Sequence, residues 1–231
     1  IHLYSEVLQK FRLAAQGRGI TRKPPAHLAE RIATYFDPLP FFYEPLETRS
    51  SDKHKYPLAA VTQRPMAMYH SWDSQNAWLR QIHAHNYLFV NARTARLAGI
   101  DDGDWIWVES QWGKVRCMAR HSEAVEPGTV WTWNAIGKAA GAWNLTPDAN
   151  ESKLGFLLNH LISEELPDGK QRISNSDPVT GQAAWYDVRV RISKVSPGET
   201  AETLPQFEAL KPYPGQEERK SLWAYMTGAK K

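Results

Sequence analysis

The chain has 231 residues, enough for one domain of about 100–200 residues plus extensions. Its 42% apolar and 23% charged residues are ordinary for a globular domain, which argues against disorder throughout. The 28 basic and 25 acidic residues, net +3, are scattered, so no basic stripe points to nucleic acid. A single cysteine, Cys117, rules out a disulfide framework or a Cys-ligated zinc or iron–sulfur site built from this chain. At an alternating strand position it reads as a small packed residue. No run of about 18 apolar residues is present to span a membrane. Ile1–Glu6 lacks the succession of a signal peptide, and the start without Met is what a piece cut from a longer polypeptide would show. In that case a parent's export signal would lie upstream.

In chain order, residues 1–55 are expected to form a lead-in from a preceding domain. It comprises a short strand at Ile1–Tyr4 and a helix over Glu6–Gln16, whose apolar residues recur at helical spacing until Gly17 and Gly19 stop it. A second helix is expected over Ala26–Phe36, after Pro24-Pro25. Asp37–Pro45 holds too many prolines for regular structure, and its aromatics suggest an arm laid on another surface. A barrel domain is expected over 56–196. Its elements are a strand at Leu58–Thr62, a polar loop, a helix around Asn76–Ile82, a strand at Leu88–Val90 and a short helix from an Asn91 cap to Gly99. Further strands are expected at Trp105–Glu109, Val115–His121, Thr129–Thr132 and Tyr186–Ser193. Residues 147–171 read as an insertion with one helix near Leu154–Glu165, and 197–231 as an extended tail, solvent-exposed or partner-binding.

Two stretches carry most of the information. Gly99-Ile-Asp-Asp-Gly-Asp-Trp-Ile-Trp-Val108 is a polar turn needing positive φ, followed by a strand that alternates Trp105 and Trp107 with Ile106 and Val108. It leads through Gln111-Trp112-Gly113 into a second strand, and Val125-Glu-Pro-Gly-Thr-Val-Trp131 launches a third. In Tyr56-Pro-Leu-Ala-Ala-Val-Thr-Gln-Arg-Pro65 a buried strand runs into a loop of polar donors that continues to Tyr69-His70-Ser71. Asp101, Asp102 and Asp104 are turn residues, since the twelfth-position Glu of a calcium loop is missing. His83 and His85 have no third ligand at metal spacing. No nucleophile with its base and no paired carboxylates can be picked out.

Together these stretches resemble the C-terminal molybdopterin-dinucleotide-binding domain of the dimethyl sulfoxide reductase family of molybdenum enzymes. The likeness covers residues 56–193 well and 1–55 more loosely. Through His70–Leu79, Trp131–Lys138 and Ser174–Gln182 the chain is most similar to large subunits of the sulfite dehydrogenase and polysulfide or thiosulfate reductase branch. The resemblance implies a mainly β fold with short helices: a six-stranded double-psi β-barrel with a helical lead-in and an extended tail. It implies molybdopterin guanine dinucleotide as cofactor, with molybdenum or tungsten held by the cofactor and the rest of the enzyme, and a sulfur oxyanion such as sulfite as substrate.

Carried over residue by residue, Thr62, Gln63, Arg64, Tyr69, His70 and Ser71 form the loop that wraps the cofactor. There Arg64 can fork onto a phosphate or pterin oxygen, while hydroxyl, amide and imidazole groups pair with its polar edges. Asn134 falls near the substrate funnel, Asn144 in a turn that pairs with the pterin or guanine edge, and Gln182 and Tyr186 in the motif that closes on the cofactor. Tyr186 departs from the pattern, since many relatives carry Lys there. The resemblance further implies an iron–sulfur cluster in the N-terminal part of the parent. As partners it implies the remainder of the large subunit together with an iron–sulfur electron-transfer subunit. A membrane anchor subunit stays open, with neither nucleic acid nor direct membrane insertion. Such an enzyme is expected in the cytoplasm, membrane-associated through its partners, with the periplasm left open. The isolated chain is expected to be inactive, with enough exposed apolar surface to self-associate. Two alternatives stay open: an independent double-psi barrel binding peptide or nucleic acid, and a pterin cofactor carrier.

Overall fold

A computed structural model describes residues 3–19, 22–73, 76–83, 86–134, 136, 156, 158–168, 171–183, 188–199 and 206–207. Six strands close into a barrel: β1 (Leu58–Gln63), β2 (Tyr87–Val90), β3 (Trp105–Glu109), β4 (Gly113–His121), β5 (Thr129–Trp133) and, later in the chain, β8 (Val188–Lys194). Around the ring the order is β2-β5-β1-β8-β3-β4, and pairing of β4 with β2 joins the ends. β1 runs parallel to β5 and β2 parallel to β4, while the remaining neighbours are antiparallel. Closure gives each of the six a partner on both sides, so none is left with a free edge.

Strand alternation fills the interior. Leu58 and Ala60 of β1, Leu88 and Val90 of β2, Ile106 and Val108 of β3, Val130 of β5 and Val188 and Val190 of β8 are buried in one cluster. Full burial of such side chains contributes roughly 1.5–3 kcal/mol each. Cys117 of β4 lies in the same cluster, and desolvation raises its thiol pKa strongly, so it is a packing residue rather than a nucleophile. The outward positions of β2 and β5 carry rings instead. Phe89 stacks on Trp131 at 4.0 Å between centroids, and Trp133 meets Trp131 edge-on at 4.8 Å. On β3 and β4, Lys114 lies over Trp107 and Arg116 over Trp105.

Short helices fill the connections. α4 (Ala77–Arg80) is capped by the Asn76 side chain, which accepts from the backbone N–H of Trp78. α5 (Ala92–Leu97) is capped by Asn91, and Gly99 at φ +67° ends it in the left-handed region where a side chain would be strained. The Asp-rich turn before β3 works as a structural knot: Asp104 accepts from the Asp101 amide and pairs with Lys194, and Asp102 accepts from the His121 amide.

Three stretches differ from the sequence-based expectation. The helix expected near Leu154–Glu165 is, among the described residues, a 3-10 turn at Leu158–Leu161, followed by a hairpin of β6 (Glu165–Asp168) and β7 (Gln171–Ser174). Pro167 has no N–H to continue a helix, and Leu158 and Leu161 gain more by packing into the barrel core, where Ser110 Oγ donates to the Leu161 carbonyl at 2.6 Å. Of the strand expected at Ile1–Tyr4, Ile1 and His2 lie outside the described residues, and Leu3 and Tyr4 are not in a strand. The start of the tail folds back: Glu199 accepts from Trp107 Nε1, and β9 (Gln206–Phe207) pairs with the start of β4.

The lead-in is more than a linker. α1 (Glu6–Ala15) and α2 (Ala29–Tyr35) meet through an edge-on pair of Phe11 and Phe36, and Arg12 joins them by donating to Asp37 and to the Ala33 carbonyl. A further helix, α3 (Leu46–Ser50), begins after Pro45 and presents Glu47 inward, fully buried. Its carboxylate accepts from Gln111 Nε2, Trp112 Nε1 and Asn175 Nδ2, which joins the lead-in to the β3–β4 hairpin and to the segment after β7.

Two outcomes follow from this packing. Asn86, fully buried, donates to the carbonyls of Trp133 and Phe156 and accepts from Thr132 Oγ1. Asn86→Ala removes the side-chain donor from the Trp133 and Phe156 carbonyls, while Thr132 keeps the Tyr87 carbonyl, and is expected to lower unfolding free energy by about 2–4 kcal/mol in denaturant titration; a loss under about 1 kcal/mol would contradict this. Asp37, Asp52, Asp104 and Glu199 are held below the ordinary carboxylate range, chiefly by backbone amides and, for Asp104, first by Lys194. Their unfolded pKa values, about 3.9 for Asp and 4.3 for Glu, exceed the folded ones. The stability they contribute is therefore complete above about pH 5 and lost as pH falls through the folded values. Lys194, raised by Asp104, loses its share only as pH climbs beyond about 10.4. Burial also lowers the His160 imidazole and raises the Cys117 thiol, so stability declines as pH falls below the unfolded imidazole value of about 6.5 and as it rises above the unfolded thiol value of about 8.5. A melting temperature flat from about pH 7 to 8, declining gently towards pH 5 and steeply below about pH 4, is the expected profile.

Candidate functional site

Because β1 and β5 are parallel, their carboxyl ends open at the same mouth of the barrel, the place where loops leave a parallel pair together. Thr62 pairs in register with Thr132, and the Asn134 amide donates to the Gln63 carbonyl at 2.9 Å, so the ladder continues to the lip. Alternation turns Thr62, Thr132 and Asn134 toward the interior where Leu58, Ala60 and Val130 point lower down. The mouth is therefore polar and the floor apolar.

The inward polar groups are unequally satisfied. Thr132 Oγ1 has Asn86 and the Tyr87 carbonyl. Thr62 Oγ1 and Asn134 Oδ1 are buried with no hydrogen-bond partner among the described residues. A buried polar atom left without a partner costs about 1–3 kcal/mol, and two such atoms at one lip of the barrel mark a place shaped for another molecule. The hydroxyl can donate or accept, and the amide oxygen accepts.

Beyond the lip the chain runs out through Gln63 and Arg64, both exposed, then Pro65, which is buried, and Met66, 99% exposed. Tyr69 is exposed, its amide donating to Asp73, with its ring edge-on to His70 at 4.9 Å. His70 has φ +49°, the only non-glycine among the described residues in the left-handed region. Such a conformation costs of order 1–3 kcal/mol and is characteristic of loops over-determined for a binding task. Ser71 lies in the 3-10 turn His70–Trp72 that follows. The loop also exposes Trp72, and Trp78 of α4 is 78% exposed.

Gln182 ends a self-closed turn. The Asp177 amide donates to the Gln182 carbonyl, Asp177 Oδ1 accepts from the Val179 and Thr180 amides and from Thr180 Oγ1, and Gly181 takes φ +75°. Burial works to raise the Asp177 pKa, but these donors and Tyr43 outweigh it and hold the carboxyl below its ordinary value. The Gln182 side chain is exposed. The chain then re-enters the barrel at Val188, opposite Ala60 of β1 and two residues below Thr62.

Thus Thr62, Gln63 and Asn134 come together at one lip, and Arg64, Tyr69, His70 and Ser71 follow in the loop that leaves it. Gln182 stands on a separate turn, and Asn144 and Tyr186 lie outside the described residues. Asn86 and Thr132, which brace the mouth from within, escape a reading of the sequence alone; polar residues at inward-alternating positions are the available signal. Among the described residues no three His, Cys, Asp or Glu gather to hold a metal, and no helix is long and apolar enough to cross a membrane. The set at the lip, a hydroxyl, an amide oxygen and a guanidinium nearby, fits a heterocycle whose edge both donates and accepts, attached to a phosphate.

Residues 58–171 match the family model of the molybdopterin dinucleotide binding domain. The chain is 65% identical, over 99% of its length, to a protein of Allochromatium vinosum named as a subunit of sulfite dehydrogenase, and covers 24% of it. It is 31% identical over 66% of its length to a protein of Halobacterium salinarum named as a putative dimethyl sulfoxide reductase catalytic subunit, covering 16% of that protein. Among solved structures, acetylene hydratase from Pelobacter acetylenicus superposes with a TM-score of 0.55 at 23% identity, over 84% of this chain and 23% of that one, which shows the shared fold. The chain thus spans less than a quarter of the length of these relatives. Residues 58–171, which run from β1 through the mouth, belong to the molybdopterin dinucleotide binding domain family.

Proposed function

We propose that this chain is the C-terminal cofactor-binding part of the large subunit of a molybdenum oxidoreductase that acts on a sulfur oxyanion such as sulfite. The observation that carries the binding half is the pair of buried atoms without a partner among the described residues, Thr62 Oγ1 and Asn134 Oδ1, at the lip of the matched segment. The substrate half is supported by 65% identity to a protein named as a sulfite dehydrogenase component.

When bound, molybdopterin guanine dinucleotide supplies the redox centre, and the protein's part is binding, orientation and electrostatics. Thr62 and Asn134 would take the polar edge of the pterin or guanine. Arg64 would fork onto the phosphates and Gln63 would flank them, while Tyr69, His70 and Ser71 would fold over as the wrapping loop. Asn144, Gln182 and Tyr186 would close the far side. Asn86 and Thr132 hold the lip rigid, so the two ligand groups need no reorganisation on binding. In the same reading the metal is molybdenum, with tungsten as the alternative, and the iron–sulfur cluster belongs to an N-terminal part of the whole enzyme. An iron–sulfur subunit carries the electrons, and a membrane anchor subunit is a further partner. The complex is cytoplasmic and membrane-associated through its partners. The exposed Met66, Tyr69, Trp72 and Trp78 would be covered by the remainder of the large subunit. An independent peptide- or nucleic-acid-binding barrel has no use for unpartnered acceptors recessed inside its mouth.

Expressed as the full-length enzyme, the protein is expected to contain molybdenum and pterin and to reduce an electron acceptor only when sulfite is present; purification without any pterin would overturn the assignment. At residue level, Thr62→Val removes the orphaned hydroxyl while keeping shape. The 231-residue chain is then expected to be as stable or up to about 1 kcal/mol more stable, while pterin content of the full-length variant falls several-fold. An unchanged pterin content would remove Thr62 from the site.

A further inference from the structure

The lead-in spends three of its side chains on a single four-residue run. Glu47 Oε2 accepts from Asn175 Nδ2 at 3.3 Å. Tyr43 donates its hydroxyl to Asp177 Oδ2 at 3.0 Å. Arg31 donates from Nε to the Pro178 carbonyl at 2.6 Å and from Nη2 to the Asp177 carbonyl at 3.3 Å. These contacts span 128 to 147 residues of sequence, so each carries a large loop-closure cost that local contacts do not. They fall on Asn175–Pro178, the first half of the turn that ends at Gln182.

The turn is stiff within itself but lightly attached to the barrel. Asp177 Oδ1 and the Asp177 amide are consumed by Val179, Thr180 and Gln182, all inside the turn. Among the described residues, 175–178 is otherwise held by Asn175 to Glu164 and Ser163, by Ser176 Oγ to Ser174 Oγ and by the bridge of Ser176 with Ala183, none of them in a barrel strand. The lead-in takes Asp177 Oδ2, the Pro178 carbonyl and a second position on the Asp177 carbonyl, which also accepts from the Gly181 amide. A guanidinium forked over two successive carbonyls defines direction as well as distance, because its N–H vectors are coplanar and fixed. The lead-in is held in turn at its far end, where Glu47 also accepts from Gln111 and Trp112 of the β3–β4 hairpin.

We infer that residues 26–51 form a clasp that sets where the 175–182 turn stands relative to the barrel mouth, with Arg31 and Tyr43 as positioning residues for cofactor binding. This rests on the reading above that the turn borders the cofactor. Neither residue touches the cofactor; each acts through the turn backbone. A preorganised turn meets the ligand without an ordering cost, whereas a released one has to be ordered on binding, which weakens retention and leaves the redox step alone.

The test uses two readouts on Arg31→Ala combined with Tyr43→Phe. In the 231-residue chain without cofactor, amide exchange across 177–183 is expected to quicken by about tenfold or more, as loss of hydrogen bonds restraining one local unit implies, with β1, β4 and β8 unchanged. In the full-length enzyme, pterin per protein after dialysis is expected to fall while turnover per bound molybdenum and KM stay at the wild-type level. Tyr43→Phe with Arg31 retained should recover most of the retention, since the guanidinium fork supplies the orientation. Exchange unchanged at 177–183 overturns the clasp. So does quickened exchange over the whole barrel, or quickened turn exchange with full cofactor retention. A wild-type enzyme without any pterin sinks the functional assignment instead, and the exchange arm alone then decides whether the clasp holds the turn.

Discussion

The parallel pairing of β1 with β5 is the constraint on which the remaining structure depends. Parallel neighbours send both carboxyl ends to the same side, so the chain leaves the barrel twice at one lip, at Gln63 and at Asn134. An antiparallel arrangement would have put these exits on opposite mouths and separated Thr62 from Asn134. Parallel pairing also needs a long crossover between the partners. Here β2, α5, β3 and β4 form that crossover and supply the other walls of the same barrel. Closure and site formation are therefore one event: the ring that removes the strand edges is also the ring that gathers the polar lip.

Much of this was legible in the residues because it is local. Asn91 and Gly99 bracket α5, Trp105–Glu109 alternates cleanly, and Pro127-Gly128 breaks the chain just before β5. Each is a signal of one or two turns' range, and each element falls within a few residues of where it was expected. What the residues concealed is set by distant partners. Leu154–Glu165 has helical spacing, but Leu158 and Leu161 are claimed by the barrel core and Glu165 starts a hairpin, so tertiary burial overrides period. The 37–45 arm was recognisable as extended and adhesive. That Tyr43 would seek Asp177, 134 positions on, was not. Glu47 reads as an ordinary first-turn acid on a short helix until Gln111, Trp112 and Asn175 converge on it.

The candidate site divides in the same way. A strand ending in Thr-Gln-Arg before a proline is visible as a polar exit, so Thr62, Gln63 and Arg64 could be named from order alone. The distinction between Thr62, inside and unpartnered among the described residues, and Gln63, outside and exposed, comes only from register, because one step along a strand exchanges faces. Asn86 and Thr132 are the converse case. They look unremarkable in sequence, yet their mutual hydrogen bond and their hold on the Trp133 carbonyl keep Asn134 from drifting into self-satisfaction.

That last point explains why the mouth tolerates unpaired polar atoms at all. A loop with Thr62 Oγ1 and Asn134 Oδ1 buried and free to move would rearrange until they bonded each other or nearby backbone, erasing the site. Here the ladder holds both strands to the lip, the Gln63 carbonyl fixes the Asn134 amide, and Asn86 fills the space beneath with three satisfied bonds. The unsatisfied pair costs a few kcal/mol at most, on the scale of about 1–3 per atom, against an interior of fully buried aliphatic residues that each contribute a comparable amount in the opposite sense. The barrel can therefore hold its lip open, and a ligand that supplies the missing partners recovers that cost as binding energy. Preference for a polar heterocycle over an apolar one of similar size follows from the same imbalance, since only the former satisfies both atoms.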